Sequence, residues 1–439
     1  MAAGSISRQP EPFAMATIPA RRVALDVLDR VLGQQQPFDD TFAGHPALGA
    51  LSPRDRAFAR LLLTTTLRRL GQIDALLARF VATPPRSATI GNLLRLGVTQ
   101  LVFLDTPAHA AVGETVALCA HRHRSVTGFA NAVLRRIARD GKAVVQSQDP
   151  LRLNTPDWLW EAWREAYGEA RAKAIAAAHL AEPPLDLTIR QDVEQWAGRL
   201  DAKKIFDHTV RRAVGGPVEQ LPGYDEGAWW VQDAAAALPV RLLGDVAGRK
   251  VIDLCAAPGG KTAQLCVRGA KVTAVELSPK RAGRLRENLA RLRLDVEVVV
   301  ADALEWRPPG PQDAVLLDAP CTATGTIRRH PDIAWHKTPA DVARMAELQG
   351  RLLAAAVEMV EPGGLVVYAS CSLQPEEGPQ LIAGGLEAGL PVERVPVELA
   401  ELDGLAVDIT VEGDVRTLPC HLAGQGGLDG FYIARLRKR

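Results

Sequence analysis

The stretch that decides the fold reads Val251-Ile252-Asp253-Leu254-Cys255-Ala256-Ala257-Pro258-Gly259-Gly260-Lys261. A short apolar run feeds a glycine-containing turn, and a helical stretch follows over residues 261–267. Downstream the same alternation repeats. Residues 250–254, 271–275, 296–300, 314–317 and 365–369 are short and β-rich, and helical stretches intervene at 278–292 and 340–360. This pattern predicts an α/β domain over residues 230–439, built on an open, mainly parallel sheet with both faces covered.

Upstream the period changes. Val23, Val27, Leu28, Val31 and Leu32 recur at helical spacing, and Ser52-Pro53 opens a long helix with a cap residue followed by proline. Further helical stretches span 89–103, 108–121 and 126–139, separated by Pro84-Pro85 and Thr106-Pro107. An all-α domain is expected over residues 21–145, after a loose tail over 1–20. Residues 146–229 read as a small α+β connector, with Trp158, Trp160 and Trp163 at core spacing and a strand over 185–190. The net charge of +1 hides an asymmetry. Residues 1–150 carry 18 Lys+Arg against 11 Asp+Glu, so a polyanionic partner or a solvated basic surface is expected there.

In an open parallel sheet, ligands bind beyond the carboxyl ends of the strands. Asp253, Glu276, Asp302 and Asp318 fall at four successive strand ends. A carboxylate at Glu276 can accept both ribose hydroxyls of a nucleoside, and Asp302 can accept from an adenine amino group. The turn is not GxGxxG, and Pro258 lacks an N–H that would cradle a pyrophosphate. An acidic rim suits a cofactor with a positive sulfonium and no phosphate. Cys255, Ala256, Ala257, Pro258, Gly259, Gly260 and Lys261, with Glu276, Asp302 and Asp318, are the expected cofactor contacts.

Two cysteines follow strand ends: Cys321 in Asp318-Ala319-Pro320-Cys321, and Cys371 in Ser370-Cys371-Ser372. Consecutive parallel strands are commonly neighbours, so both thiols are expected in one cleft. A thiolate that adds to carbon 6 of cytosine raises electron density at carbon 5, which is otherwise a poor nucleophile. Asp318 is the candidate to protonate the ring nitrogen as the thiolate adds. Arg328, Arg329 and His330 stand where they could guide a nucleic acid. The base would have to be presented unstacked or flipped.

These motifs resemble the RNA cytosine-5 methyltransferases of the NOL/NOP/Sun family. The resemblance rests on Val231-Gln232-Asp233-Ala234-Ala235-Ala236, on the Cys255–Lys261 loop and on Asp318-Ala319-Pro320-Cys321-Thr322-Ala323-Thr324-Gly325. It extends to Arg328-Arg329-His330-Pro331-Asp332, to Ser370-Cys371-Ser372 with Pro375-Glu376-Glu377, and to Asp429-Gly430-Phe431-Tyr432. The front of the chain is similar to NusB-like RNA-binding domains at Asn92-Leu93-Leu94-Arg95-Leu96-Gly97, at residues 107–112 and at 129–136. The resemblance implies a Rossmann-like S-adenosylmethionine-dependent domain with a seven-stranded sheet. It implies Cys371 as nucleophile and Cys321 as the group that assists release of the adduct. It also implies RNA, most closely 16S ribosomal RNA, as substrate. The scattered cysteines fit neither a zinc site nor a disulfide framework and read as reduced thiols of a cytoplasmic protein, expected to be a monomer that needs no metal. Ser370, Gly378 and Glu276 depart from the family's usual Thr, Asn and Asp, and the segment 392–422 lies outside the resemblance.

Composition narrows the alternatives. The 439 residues hold no run long and apolar enough to span a membrane, and the six scattered cysteines include no CxxC pair. Two rivals are a DNA cytosine-5 methyltransferase and a noncatalytic RNA-binding assembly factor. The second cysteine motif and the helical front oppose the first. An intact cofactor loop with Cys371 opposes the second.

Overall fold

The computed structural model describes residues 18–213 and 217–439, so most of the expected N-terminal tail lies outside the described residues. The chain forms two compact units. One runs up to Trp160 and includes His330–His336; the other comprises Glu161–Arg329 and Lys337–Arg439.

The first unit is helical: Ile18–Gln34, Pro53–Arg68, Leu70–Phe80, Ala88–Val102, Ala108–Arg122 and Thr127–Gln146. The Ser52 hydroxyl accepts the Asp55 N–H at 3.1 Å, capping the helix that Pro53 opens. Leu25, Leu28, Leu62, Leu67, Ile73 and Leu134 form a continuous buried core. At Gly97 a Cβ would lie 2.7 Å from a Leu134 methyl, so the glycine lets two helices approach. Residues 330–336 are anchored in this unit by side-chain bonds. Asp332 accepts the Phe38 N–H at 3.0 Å, and the Trp335 indole donates to the Leu67 carbonyl at 2.9 Å.

The second unit carries two sheets. In the smaller, β1 (Leu185–Ile189), β2 (Ala202–Phe206), β3 (Thr209–Arg212) and β4 (Trp229–Val231) are antiparallel in the order β2-β3-β1-β4. The larger begins with β5 (Lys250–Leu254), β6 (Lys271–Glu276), β7 (Glu297–Val300), β8 (Gln312–Asp318) and β9 (Val360–Ser370), all parallel in the order β9-β8-β5-β6-β7. Then β10 (Val392–Arg394), β11 (Asp408–Ile409), β12 (Val415–Thr417) and β13 (Phe431–Lys438) add antiparallel pairs, with β13 on β9. Among the described residues the sheet thus has nine strands, not the seven expected. The outer edge of the eight-residue β13 is covered in two pieces, by β12 at one end and β10 at the other, and β11 extends β12.

Side chains alternate between the faces, as strand geometry requires. Val251, Leu316, Val367 and Ile433 pack on one face, and Ile252, Val315, Leu317, Val366 and Tyr432 on the other. Helix Pro339–Met359 is started by a capping box in which Thr338 and Asp341 exchange bonds. No helix among the described residues is long and apolar enough to cross a membrane.

Candidate active site

From β5 the chain steps one way to β6 and β7, then returns to place β8 and β9 on the other side. That reversal opens a crevice at the carboxyl ends of β5 and β8. Gly259, at φ +104°, makes the turn, and a Cβ there would meet a Leu285 methyl at 2.5 Å. Helix Gly260–Val267 follows at once.

Glu276, the last residue of β6, is 2% exposed. Its Oε1 accepts the Ser278 N–H at 3.0 Å and Arg281 at 3.3 Å; among the described residues its Oε2 accepts only a long bond, from the Ala257 N–H at 3.4 Å. A carboxylate has about four acceptor sites, so Oε2 keeps capacity for a ligand hydroxyl. Beside it Leu277 is 65% exposed, an apolar face at the crevice that the sequence reading missed. Its signal was a leucine directly after the strand-end acid. Asp302 follows β7, half-buried, with its Oδ1 accepting the Leu304 N–H at 2.9 Å.

Asp253 departs from the expected rim of four acids. It is fully buried and accepts the Thr262 hydroxyl at 2.5 Å, so it braces the loop from beneath. Burial pushes its carboxyl up to about 7, and Asp318 and Glu276 add to the rise.

Cys321 and Cys371 meet as expected, with their sulfurs 3.3 Å apart, and all six cysteines are free thiols. The Lys261 ammonium donates to Asp318 Oδ2 at 2.7 Å and lies 5.2 Å from the centre of the Phe431 ring. The neighbouring Cys321 thiol, burial and the Asp318 charge raise the Cys371 thiol well above its ordinary range, while Lys261 opposes them. Cys255 is pushed up to about 12 by burial and by Asp318 and Glu276, so it remains a neutral thiol. The Gly325 N–H donates to the Cys371 carbonyl at 2.9 Å, tying the two cysteine loops through the backbone. A Cβ on Gly325 would stand 2.1 Å from the Gly430 carbonyl oxygen. Gly378 is similarly close-packed, since a Cβ there would lie 3.0 Å from the Tyr432 ring.

Arg328 and Arg329 correct the expectation that they reach out to a nucleic acid. Arg328 is 1% exposed and bridges Asp233 and Asp429. Arg329 bonds the same two acids and the Pro184 carbonyl. Buried charges demand partners, and these arginines tie β13's approach to the segment before β1. His330 belongs to the helical unit, 2.7 Å from Asp39. Although burial alone would raise the Asp39 carboxyl, His330 and Arg60 hold it down at about 2. Among the described residues, no group of three or more His, Cys, Asp or Glu could hold a metal ion.

The chain is similar to known proteins along most of its length. Residues 240–437 match the family model for 16S rRNA methyltransferase RsmB/F, and residues 18–139 match the NusB family. A "Ribosomal RNA small subunit methyltransferase B" of Pseudomonas syringae pv. tomato is 38% identical over 88% of this chain and 90% of its own. The protein of the same name from Klebsiella pneumoniae is 34% identical over 95% of this chain and 98% of its own. Among solved structures, a methyltransferase homolog protein from Pyrococcus horikoshii superposes with a TM-score of 0.54 at 28% identity, covering 66% of this chain and 97% of that one.

Proposed function

The chain belongs to the RsmB/F family of 16S rRNA methyltransferases, and from that premise we propose that it methylates carbon 5 of a cytosine through a covalent adduct on Cys371. It is an S-adenosylmethionine-dependent RNA methyltransferase. The open Oε2 of Glu276, the exposed Leu277, the acids at the strand ends and a turn in which Pro258 lacks an N–H for a phosphate fit that cofactor. Residues 255–261, Glu276, Asp302 and Asp318 would hold it. When bound, it supplies an electrophilic methyl group on a sulfonium.

The observation that carries the proposal is the pair of thiols side by side next to a lysine–aspartate pair. Cys371, as thiolate, adds its electron pair to carbon 6, and the ring's pair shifts toward carbon 5. In this reading the proton that the ring nitrogen takes up comes from the Lys261 ammonium and is passed on by the Asp318 carboxylate to which it donates at 2.7 Å. After carbon 5 is methylated, water carries off its proton, the freed pair re-forms the carbon 5–carbon 6 double bond, the carbon–sulfur bond breaks with its pair on Cys371, and the ring nitrogen returns its proton to the Lys261–Asp318 pair. Cys321, one van der Waals contact away, assists that breakdown.

The test is substitution of each cysteine, with tritiated methyl transfer to 16S rRNA and denaturing gels as readouts. Cys371→Ala should abolish transfer. Cys321→Ala should leave a covalent protein–RNA complex that accumulates. Accumulation in Cys371→Ala and not in Cys321→Ala would exchange the two roles; unchanged transfer in Cys371→Ala would overturn Cys371 as the nucleophile.

A further inference from the structure

Glu377 lies in the Pro375-Glu376-Glu377 motif that follows the second cysteine, and no step above uses it. It is fully buried, yet it sits at the junction of the two cysteine loops. Its Oε1 accepts the Thr322 N–H at 2.8 Å and the Gln349 amide at 3.1 Å. Its Oε2 accepts the Thr322 hydroxyl and, at 2.5 Å, the Ser372 hydroxyl. Thr322 is the neighbour of Cys321, and Ser372 is the neighbour of Cys371. Gln349 also donates to the Pro320 carbonyl at 2.8 Å, holding the residue on the other side of Cys321. Tyr368 closes the cluster by donating to the Glu377 carbonyl at 2.8 Å.

We propose that Glu377 is a positioning residue that holds the Cys321 and Cys371 thiols side by side. This rests on the reading that both thiols act in turn on one base. A buried carboxylate is costly unless its acceptor sites are filled, and here the four donors that fill them are neutral. Of those donors, the Thr322 N–H cannot reverse, and the Gln349 amide is held in its orientation by the Pro320 carbonyl that it donates to and the Tyr368 hydroxyl that its oxygen faces. The two hydroxyls facing Oε2 can turn to accept. Glutamine therefore fits, with its oxygen toward the fixed donors and its amide toward the hydroxyls. Alanine removes the clasp, and aspartate withdraws it by one methylene.

Phenylarsine oxide reads thiol spacing without catalysis. Its arsenic forms two bonds to sulfur, its oxygen leaves as water with the two thiol protons, and nothing is oxidised or reduced. The wild-type chain should bridge one arsenical, lost in Cys371→Ala. Glu377→Gln should retain it. Glu377→Ala and Glu377→Asp should weaken it by about tenfold or more, with S-adenosylmethionine binding unchanged. In turnover, the same two variants should lower kcat and accumulate adduct while KM for RNA holds. If Glu377→Ala does not fold, Glu377→Asp and Thr322→Val carry the comparison. Bridging at wild-type strength in Glu377→Asp overturns the proposal. So does a loss in Glu377→Gln as deep as in Glu377→Ala, which would make charge and not hydrogen bonding the cause. The arsenical arms report spacing even if no adduct forms on RNA, so failure of the reaction reading shows separately.

Discussion

Lys261 is a cation that bears directly on the Cys371 thiol. Burial disfavours its ammonium, but Asp318, by charge and hydrogen bond, raises it above its ordinary value. A fixed ammonium favours a nearby thiolate. Because Cys371 is raised, its thiolate fraction grows as pH climbs, and methyl transfer should rise through the alkaline range. Lys261→Met should move that rise to higher pH and slow iodoacetamide capture of Cys371 at pH 8 by about tenfold, measured by mass spectrometry of the labelled peptide. Asp253 gives a second pH effect. Its carboxyl, raised from 3.8 to about 7, keeps a proton in the folded chain that the unfolded chain releases. Stability from this group is full below about pH 4 and is lost as pH climbs through about 7. Asp253→Asn should flatten that slope in denaturant unfolding at pH 5 and pH 8, leaving a stabler chain at the higher pH. The meeting of Cys321 with Cys371 was legible because cysteines after neighbouring parallel strands must converge. Arg328 and Arg329 were not, because sequence cannot separate an arginine that awaits a phosphate from one clasped by distant acids such as Asp233 and Asp429.

At the level of elements, the five parallel strands were readable from their apolar runs and intervening helices, with bounds within a few residues. The polar β2 and β3 escaped: Lys203, Lys204, Arg211 and Arg212 hide the alternation, and pairing across the Asp207-His208 turn, with β1 on the other side of β3, makes them strands. The two- and three-residue β10, β11 and β12 leave no periodicity at all, which is why the sheet outgrew its expected seven strands. Gly325 shows how tightly these elements meet, since its backbone is sandwiched between the Cys371 and Gly430 carbonyls. Gly325→Ala must push one of them away. It should cost about 1–3 kcal/mol, read from denaturant midpoints, and reduce methyl transfer more than it reduces S-adenosylmethionine binding, since the cofactor loop is untouched.

On the scale of the whole molecule, the helical front and the α/β catalytic domain were both visible as a change of period. Hidden was that His330–His336 belongs with the helices. Nothing in that short run resembles a helical repeat; its membership is decided by Trp335 and Asp332 finding backbone partners at Leu67 and Phe38. Trp335→Ala should lower the stability of the helical unit by roughly 2–3 kcal/mol, seen as faster amide exchange in Pro53–Arg68 with little change in β5 or β8.

Because the helical unit takes in seven residues that lie far along the chain, its last contacts must wait for translation to pass His336. Domains made first usually fold first as the polypeptide leaves the ribosome. Here the earliest-made helices stay one segment short while β5 to β8 are still being made. A gene split after Trp160 would therefore deliver an incomplete front half, whatever the quality of the back.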